Sequence, residues 1–120
     1  RVEAHTLAVL RDIAARYLRR QGYKILERNA RFGKYEIDII AREGDTIAFV
    51  EVKTRRSNDL TAPEDSIGYT KQRHIQNAAE CYCARHPDPE MYYRFDVVSV
   101  ILPDAGKPSV TLLRNAFVAR

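Results

Sequence analysis

Cysteine is scarce in this chain, with Cys81 and Cys83 the only two. Two positions apart on a helical stretch, they face different directions, which excludes a local disulfide, and no CxxC zinc motif is present. His5, His74 and His86 show no metal-ligand spacing either. A glycine-rich phosphate loop is missing, which argues against a nucleoside triphosphatase. No apolar run approaches a membrane span or the core of a signal peptide, so a cytoplasmic protein without a membrane partner is expected. Internal repeats, low-complexity tracts and linkers are absent as well.

What remains is the composition of a globular protein. The chain has 120 residues, 45% hydrophobic and 30% charged, enough for one domain over 1–120 whose core needs no covalent staples. Its net charge of +4 is uneven. Residues 1–35 carry nine Lys/Arg against three Asp/Glu, and the remainder eleven against thirteen. A basic first third beside an acidic centre fits a polyanion binder, although a solvated helix face explains part of the same charge.

Apolar spacing predicts a helix from His5 to Arg20, with Leu7, Leu10, Ala14, Tyr17 and Leu18 on its buried stripe and Gly22 as the stop. Tyr23 to Asn29 reads as a first strand, followed by a basic loop in which Arg28, Arg31 and Lys34 surround Gly33. Contacts from such a loop would guide a nucleic-acid backbone without reading its sequence. Ser57 to Gly68 is the longest non-periodic stretch and is expected to be a mobile loop near the cleft. Thr70 to His86 reads as a second helix that Lys71 begins and Pro87 ends. Tyr92 to Leu102 and Val110 to Arg114 complete the strands. Asp96, on an otherwise apolar strand, is expected to be held by arginine or backbone donors.

The densest information lies between Glu36 and Lys53. Two runs rich in β-branched residues flank Gly44-Asp45, the pattern of a tight antiparallel hairpin. With those two residues as the turn, Asp38 faces Glu51 and Glu36 faces Lys53, all on one face. Ile37, Ile39 and Ala41, with Ala48, Val50 and Val52, make the other face apolar. A sheet apolar on both faces is covered on both. Like charges directly opposed repel, so Asp38 beside Glu51 calls for a cation. Two oxygen-donor carboxylates suit Mg²⁺ or Mn²⁺, and a neighbouring lysine suits a phosphate. An acid-x-Lys triplet alone is common surface decoration; the facing aspartate and the apolar surroundings are what point to a phosphodiester-hydrolysing site. Arg55, on the face of Glu51, and Arg56 extend the basic surface; Lys71 either reaches the rim of the site or, the favoured reading, lays its apolar stem along the core with its charge in solvent.

The Glu36-Ile37-Asp38-Ile39-Ile40 run, followed by Phe49-Val50-Glu51-Val52-Lys53-Thr54-Arg55, resembles the YraN-like family of the restriction-endonuclease-like, PD-(D/E)xK nuclease superfamily. Ala14-Ala15-Arg16-Tyr17-Leu18, Gln21-Gly22-Tyr23, Lys71-Gln72, Arg94-Phe95-Asp96-Val97-Val98 and Asn115-Ala116-Phe117 extend the resemblance over nearly the whole chain. It implies an α/β fold with an αβββαβ core, a mixed central sheet with helices on both faces. It also implies a metal-dependent nuclease acting on DNA, branched or single-stranded, with Mg²⁺ or Mn²⁺ as cofactor. Asp38 and Glu51 would be metal ligands with the Val52 carbonyl, and Lys53 the catalytic lysine. Glu36 would serve either in the outer shell or as the partner of Lys53. Two positions depart from the family pattern: Tyr35 stands where relatives have glycine, and Leu10-Arg11 where they have Gly-Glu. Arg11 cannot ligate metal, so a nucleic-acid-binding domain with weak or no cleavage is the alternative. A homodimer is compatible with the sequence.

Overall fold

A computed structural model describes residues 4–57 and 67–119. Its elements run α1 (Ala4–Arg20), β1 (Lys24–Phe32), β2 (Tyr35–Glu43), β3 (Thr46–Arg56), α2 (Tyr69–Arg85), β4 (Tyr92–Leu102) and β5 (Ser109–Phe117). The expected order of helix, three strands, helix and two strands is present. The strands form one mixed sheet in the order β1-β2-β3-β4-β5. Only β3 and β4 are parallel, and parallel neighbours need a long crossover, here the segment that contains α2. Residues 58–66 of the expected Ser57–Gly68 loop lie outside the described residues.

Helix α1 stops where glycine allows it to. Gly22 has φ +98, the Tyr23 N–H donates to the Leu18 carbonyl at 3.0 Å, and the Gly22 N–H donates to that of Arg19 at 3.1 Å. These paired bonds are a Schellman ending, which satisfies carbonyls left over at the helix terminus. They deliver Tyr23 straight into the core.

The sheet is covered on both faces, as its apolar runs require. On one side Leu10, Ala14 and Leu18 of α1 pack on Ile39, Ala48, Val50 and Val98. On the other Ile75, Ala78 and Tyr82 of α2 pack on Ile40, Ile47 and Phe49. Alternation along β3 therefore sends Val50 and Val52 toward α1 and Phe49 toward α2.

Two expectations need correction. The first strand runs to Phe32, and Gly33-Lys34 is a tight turn into Tyr35, so Arg28 and Arg31 are strand residues. Gly33 supplies the φ of +64 that such a turn needs. Ile37, moreover, joins Ala30 and Phe32 in the α2-side core, away from Ile39. The cause lies on β1, where Asn29 has φ +51 between the register pairs Arg28–Ile39 and Ala30–Ile37. A left-handed residue breaks the strict alternation of an extended strand, and β2 follows its partner.

At the far end of the sheet, Asp96 is fully buried within a register shift between β4 and β5. It accepts the Tyr23 hydroxyl at 2.7 Å, Arg94 Nε at 2.9 Å and the Asn115 N–H at 2.9 Å. Asn115 has φ +54, as the extra residues of a bulge often require. Arg94 also pairs with Glu43, and Arg114 grips Glu43 with two bonds, at 3.0 and 2.7 Å. Arg114, then Arg94, hold the Glu43 carboxyl down at about 2 against the opposing effect of burial. Burial and the Asp96 carboxylate keep the Tyr23 phenol protonated well beyond its usual range. Asp96 is thus held by arginine and backbone donors, as its sequence context suggests.

Removing Asp96 takes the acceptor from the Tyr23 hydroxyl, Arg94 Nε and the Asn115 amide in a half-buried site, while Arg94 keeps Glu43. Asp96→Ala is therefore expected to cost about 3–5 kcal/mol, the scale for breaking one partner of a buried pair. Urea denaturation checks this, and a loss under about 1 kcal/mol would show that the network contributes little.

Candidate metal site at the strand fork

The hairpin register is the expected one near its turn. Glu43 faces Thr46, Ala41 faces Ala48 and Ile39 faces Val50, with Gly44 at φ +62 in the turn. Beyond Ile39–Val50 this pairing stops. Residues 35–37 of β2 pair with β1, while Glu51 to Arg56 of β3 pair with β4. The two strands part as a fork, so Asp38 and Glu51 are not ladder partners. Glu36 likewise faces Arg31 on β1 and binds it at 3.3 Å; the structure does not set it opposite Lys53.

Asp38 sits where the fork opens. Its neighbours Ile37 and Ile39 go to opposite faces of the sheet, which turns the side chain between them toward β3. The Val52 N–H donates to Asp38 Oδ2 at 2.8 Å. The carboxylate thus takes a β3 amide at the point where backbone pairing has ended. Burial without that bond would cost one to several kcal/mol for the amide alone.

Glu51 alternates with Val50 and Val52 and therefore faces α2. Its side chain is 13% exposed and meets Lys71 Nζ through Oε2 at 3.5 Å. Oε1 is buried and, among the described residues, accepts no hydrogen bond. Burial first, and the nearby Asp38 charge second, push the Glu51 carboxyl up to about 8, with Lys71 acting in the opposite direction. This is the signature of two acids sharing a site that lacks enough positive charge.

The remaining candidates divide into near and far. Lys53 is half-buried two residues beyond Glu51 on the same strand, and Arg55 and Arg56 are half-buried after it. Tyr35 packs its ring against His74 of α2 at 5.2 Å, with Lys34 Nζ over that ring at 5.5 Å. Arg28 pairs with Asp12 of α1 at 2.6 Å and so lies on the α1 face, apart from Glu51. Arg11 is half-buried on α1, next to Leu10 and one turn before Ala14 and Ala15. Gln72 was not among the expected site residues. It donates Nε2 to the Ile67 carbonyl at 2.8 Å and leaves Oε1 buried without a donor, one residue from Lys71. An amide in the first turn of a helix carries little sequence signal beyond its neighbour.

Among the described residues no group of three or more His, Cys, Asp or Glu side chains is gathered to hold a metal ion. The fork does suit a hard divalent cation that keeps several of its waters: oxygen donors only, one of them orphaned, with an unbalanced negative charge. No helix among the described residues is long and apolar enough to cross a membrane.

Residues 11–100 match the family model described as "Uncharacterised protein family UPF0102". The chain belongs to this family. The UPF0102 family is the YraN-like family that its hairpin resembles. A UPF0102 protein of Caldicellulosiruptor saccharolyticus is 46% identical over 105 residues, 87% of this chain and 89% of the relative. Those of Chlorobaculum parvum, at 46% over 98 residues, and Syntrophotalea carbinolica, at 49% over 89, cover 82% and 74% of the chain and 76% and 72% of their own lengths. The UPF0102 match spans most of α1, the fork, α2 and β4 as far as Val100.

The Glu51 carboxyl titrates higher in the fold than in the unfolded chain, from 4.5 to about 8. The folded state then binds the extra proton between these values, so its stability is full below about 4.5 and falls as pH rises toward about 8. Glu51→Gln is expected to flatten that fall and to melt higher than the wild type at about pH 8 without metal. Melting curves from about pH 5 to about pH 9 check this; parallel curves would mean that burial and Asp38 do not raise the Glu51 carboxyl.

Proposed function

We propose that this UPF0102 protein is a Mg²⁺- or Mn²⁺-dependent phosphodiester hydrolase acting on DNA, with branched or single-stranded strands as its substrates. One observation carries the reading: Asp38 and Glu51 meet in a fork of the sheet with one buried Glu51 oxygen lacking a donor among the described residues. Such a pair is unfavourable in the empty protein and favourable around a cation. Asp38, Glu51 and the backbone carbonyl of Val52 would hold the metal. Bound there, it would supply Lewis-acid activation of the phosphoryl group and of water. Lys53 orients the attacking water and offsets negative charge that develops on the phosphate in the transition state. Arg55, Arg56 and Lys71 hold the strand by its phosphates, with Arg31 and Lys34 at a greater distance. Glu36, paired with Arg31, acts on the site only from outside the ligand set.

The second reading, a binding domain that cleaves weakly or not at all, is favoured by Arg11. Where the family resemblance calls for an acid, this chain has a guanidinium, which donates hydrogen bonds and ligates no metal. The deciding experiment is incubation with branched, single-stranded and duplex DNA, with and without Mg²⁺. Metal-dependent cleavage supports the hydrolase; binding without cleavage supports the second reading.

Divalent metal binding to the folded state raises its melting temperature. Mn²⁺ at about 1 mM is expected to do so by roughly 3 °C, the scale for somewhat under about 1 kcal/mol in a domain of this size. Asp38→Asn keeps a carbonyl oxygen for the Val52 amide and should lose most of the gain. An equal gain in mutant and wild type places the metal elsewhere.

Lys53→Ala should abolish cleavage while leaving DNA affinity within about threefold, because one phosphate contact is a small share of the electrostatic total. Gel assays of the two proteins under Mg²⁺ check this. Unchanged cleavage would take Lys53 out of the reaction.

A further inference from the structure

We propose that Lys71 is the resident counter-cation of the Asp38–Glu51 pair, which it leaves for a backbone phosphate when a divalent metal enters. Metal and nucleic acid then bind cooperatively through one ammonium group. The inference rests on the reading of the fork as a metal site and adds to it how that site is kept and opened.

Three observations lead here. Lys71 Nζ touches one oxygen of Glu51, at 3.5 Å, while the other oxygen has no donor among the described residues. The carboxylate is therefore half-compensated, as a placeholder would leave it. Exposure is asymmetric too: the Lys71 side chain is 47% exposed and that of Glu51 13%. The anion is fixed in the sheet, whereas the cation stands on a flexible four-carbon stem at the edge of solvent and can swing. A divalent cation on Glu51 would repel that ammonium and loosen its hold on the carboxylate.

The position of Lys71 on its helix supplies the third. It lies in the first turn of α2, which has no acidic residue there and no side-chain cap on Gly68. A helix start favours anions and disfavours cations. A lysine there is unfavourably placed unless an anion accompanies it. In the protein alone that anion is the Asp38–Glu51 pair, which Lys71 meets through Glu51. With nucleic acid present, a phosphate at the same helix start would serve, drawn by the freed ammonium and by the N–H groups of the first turn. Each exchange leaves every charge matched. Coupling of this kind is reciprocal, so the phosphate that attracts Lys71 strengthens metal binding by the factor with which metal strengthens nucleic-acid binding.

Calorimetric titration with Mn²⁺ tests the exchange. Without nucleic acid, Lys71→Gln is expected to bind Mn²⁺ about tenfold more tightly than the wild type, because the competing cation is gone. Lys71→Arg, which keeps a cation, should remain weak. The same titrations are then run on a Lys53→Ala background with a saturating single-stranded oligonucleotide, so that the strand stays whole. There the proteins with and without the Lys71→Gln substitution should agree within about twofold, since Lys71 has already left Glu51. Identical isotherms without nucleic acid would overturn the proposal. So would a difference of about tenfold that persists with the oligonucleotide, which would make Lys71 a fixed repulsive charge. Asp38→Asn separates a misplaced site from a misread lysine. If it binds Mn²⁺ like the wild type, the metal site itself is wrong; if it loses Mn²⁺ while Lys71→Gln changes nothing, only the role of Lys71 fails.

Discussion

The bond from the Val52 amide to the Asp38 carboxylate is the constraint on which the candidate site depends. Strands β2 and β3 begin as a regular hairpin and must part for each to find its other neighbour. Parting leaves a buried amide on β3 that would be costly without an acceptor. Asp38 provides that acceptor from its side chain. The fork is therefore tied at its base while opening enough for a second carboxylate. On the proposed reading structure and chemistry share one residue, and Asp38 is fixed in place by the sheet through its bond to Val52.

Asp96 and Glu51 show what full and partial compensation look like. Asp96 accepts bonds from a tyrosine, an arginine and a backbone amide, and Arg94 is itself shared with Glu43. Every group in that cluster has a partner, and its consequence is stability. Glu51 has one ammonium, at 3.5 Å, and an oxygen without a donor among the described residues. Its consequence is an unmet electrostatic demand, the usual mark of a functional position. Both acids lie on central strands, so burial alone does not distinguish them. The count of donors does.

Much of the fold was legible from the residues. Gly44-Asp45 between two β-branched runs marked the hairpin and its register, and the ends of β4 fell at Tyr92 and Leu102 as its apolar run suggests. The fork was not legible, because counting residues from a turn assumes that pairing continues. Nor was the reversal of Ile37. It follows from a left-handed Asn29 on the neighbouring strand, and asparagine adopts that conformation only occasionally. Lys71 could be placed at the start of a helix but not at 3.5 Å from Glu51, since that distance depends on how α2 returns across the sheet. Local pattern revealed the elements and the acids; their compensation is a tertiary property.

The order of the strands bears on the sequence of folding events. β1, β2 and β3 are a continuous meander from Lys24 to Arg56, joined by two tight turns and made of contacts close in the chain. Such contacts form early, whereas a parallel pairing waits on closure of a long loop. Asp38 and Glu51 both belong to the meander, and Lys71 belongs to the crossover. The two acids are thus brought together by the quickest part of the chain and acquire their cation from a slower one. During that interval the nascent sheet carries its negative charge uncompensated, and protons or metal ions from solution are the cations nearest at hand. On the proposed reading of the fork, acidity and divalent ions would bear on the folding rate as well as on the finished site.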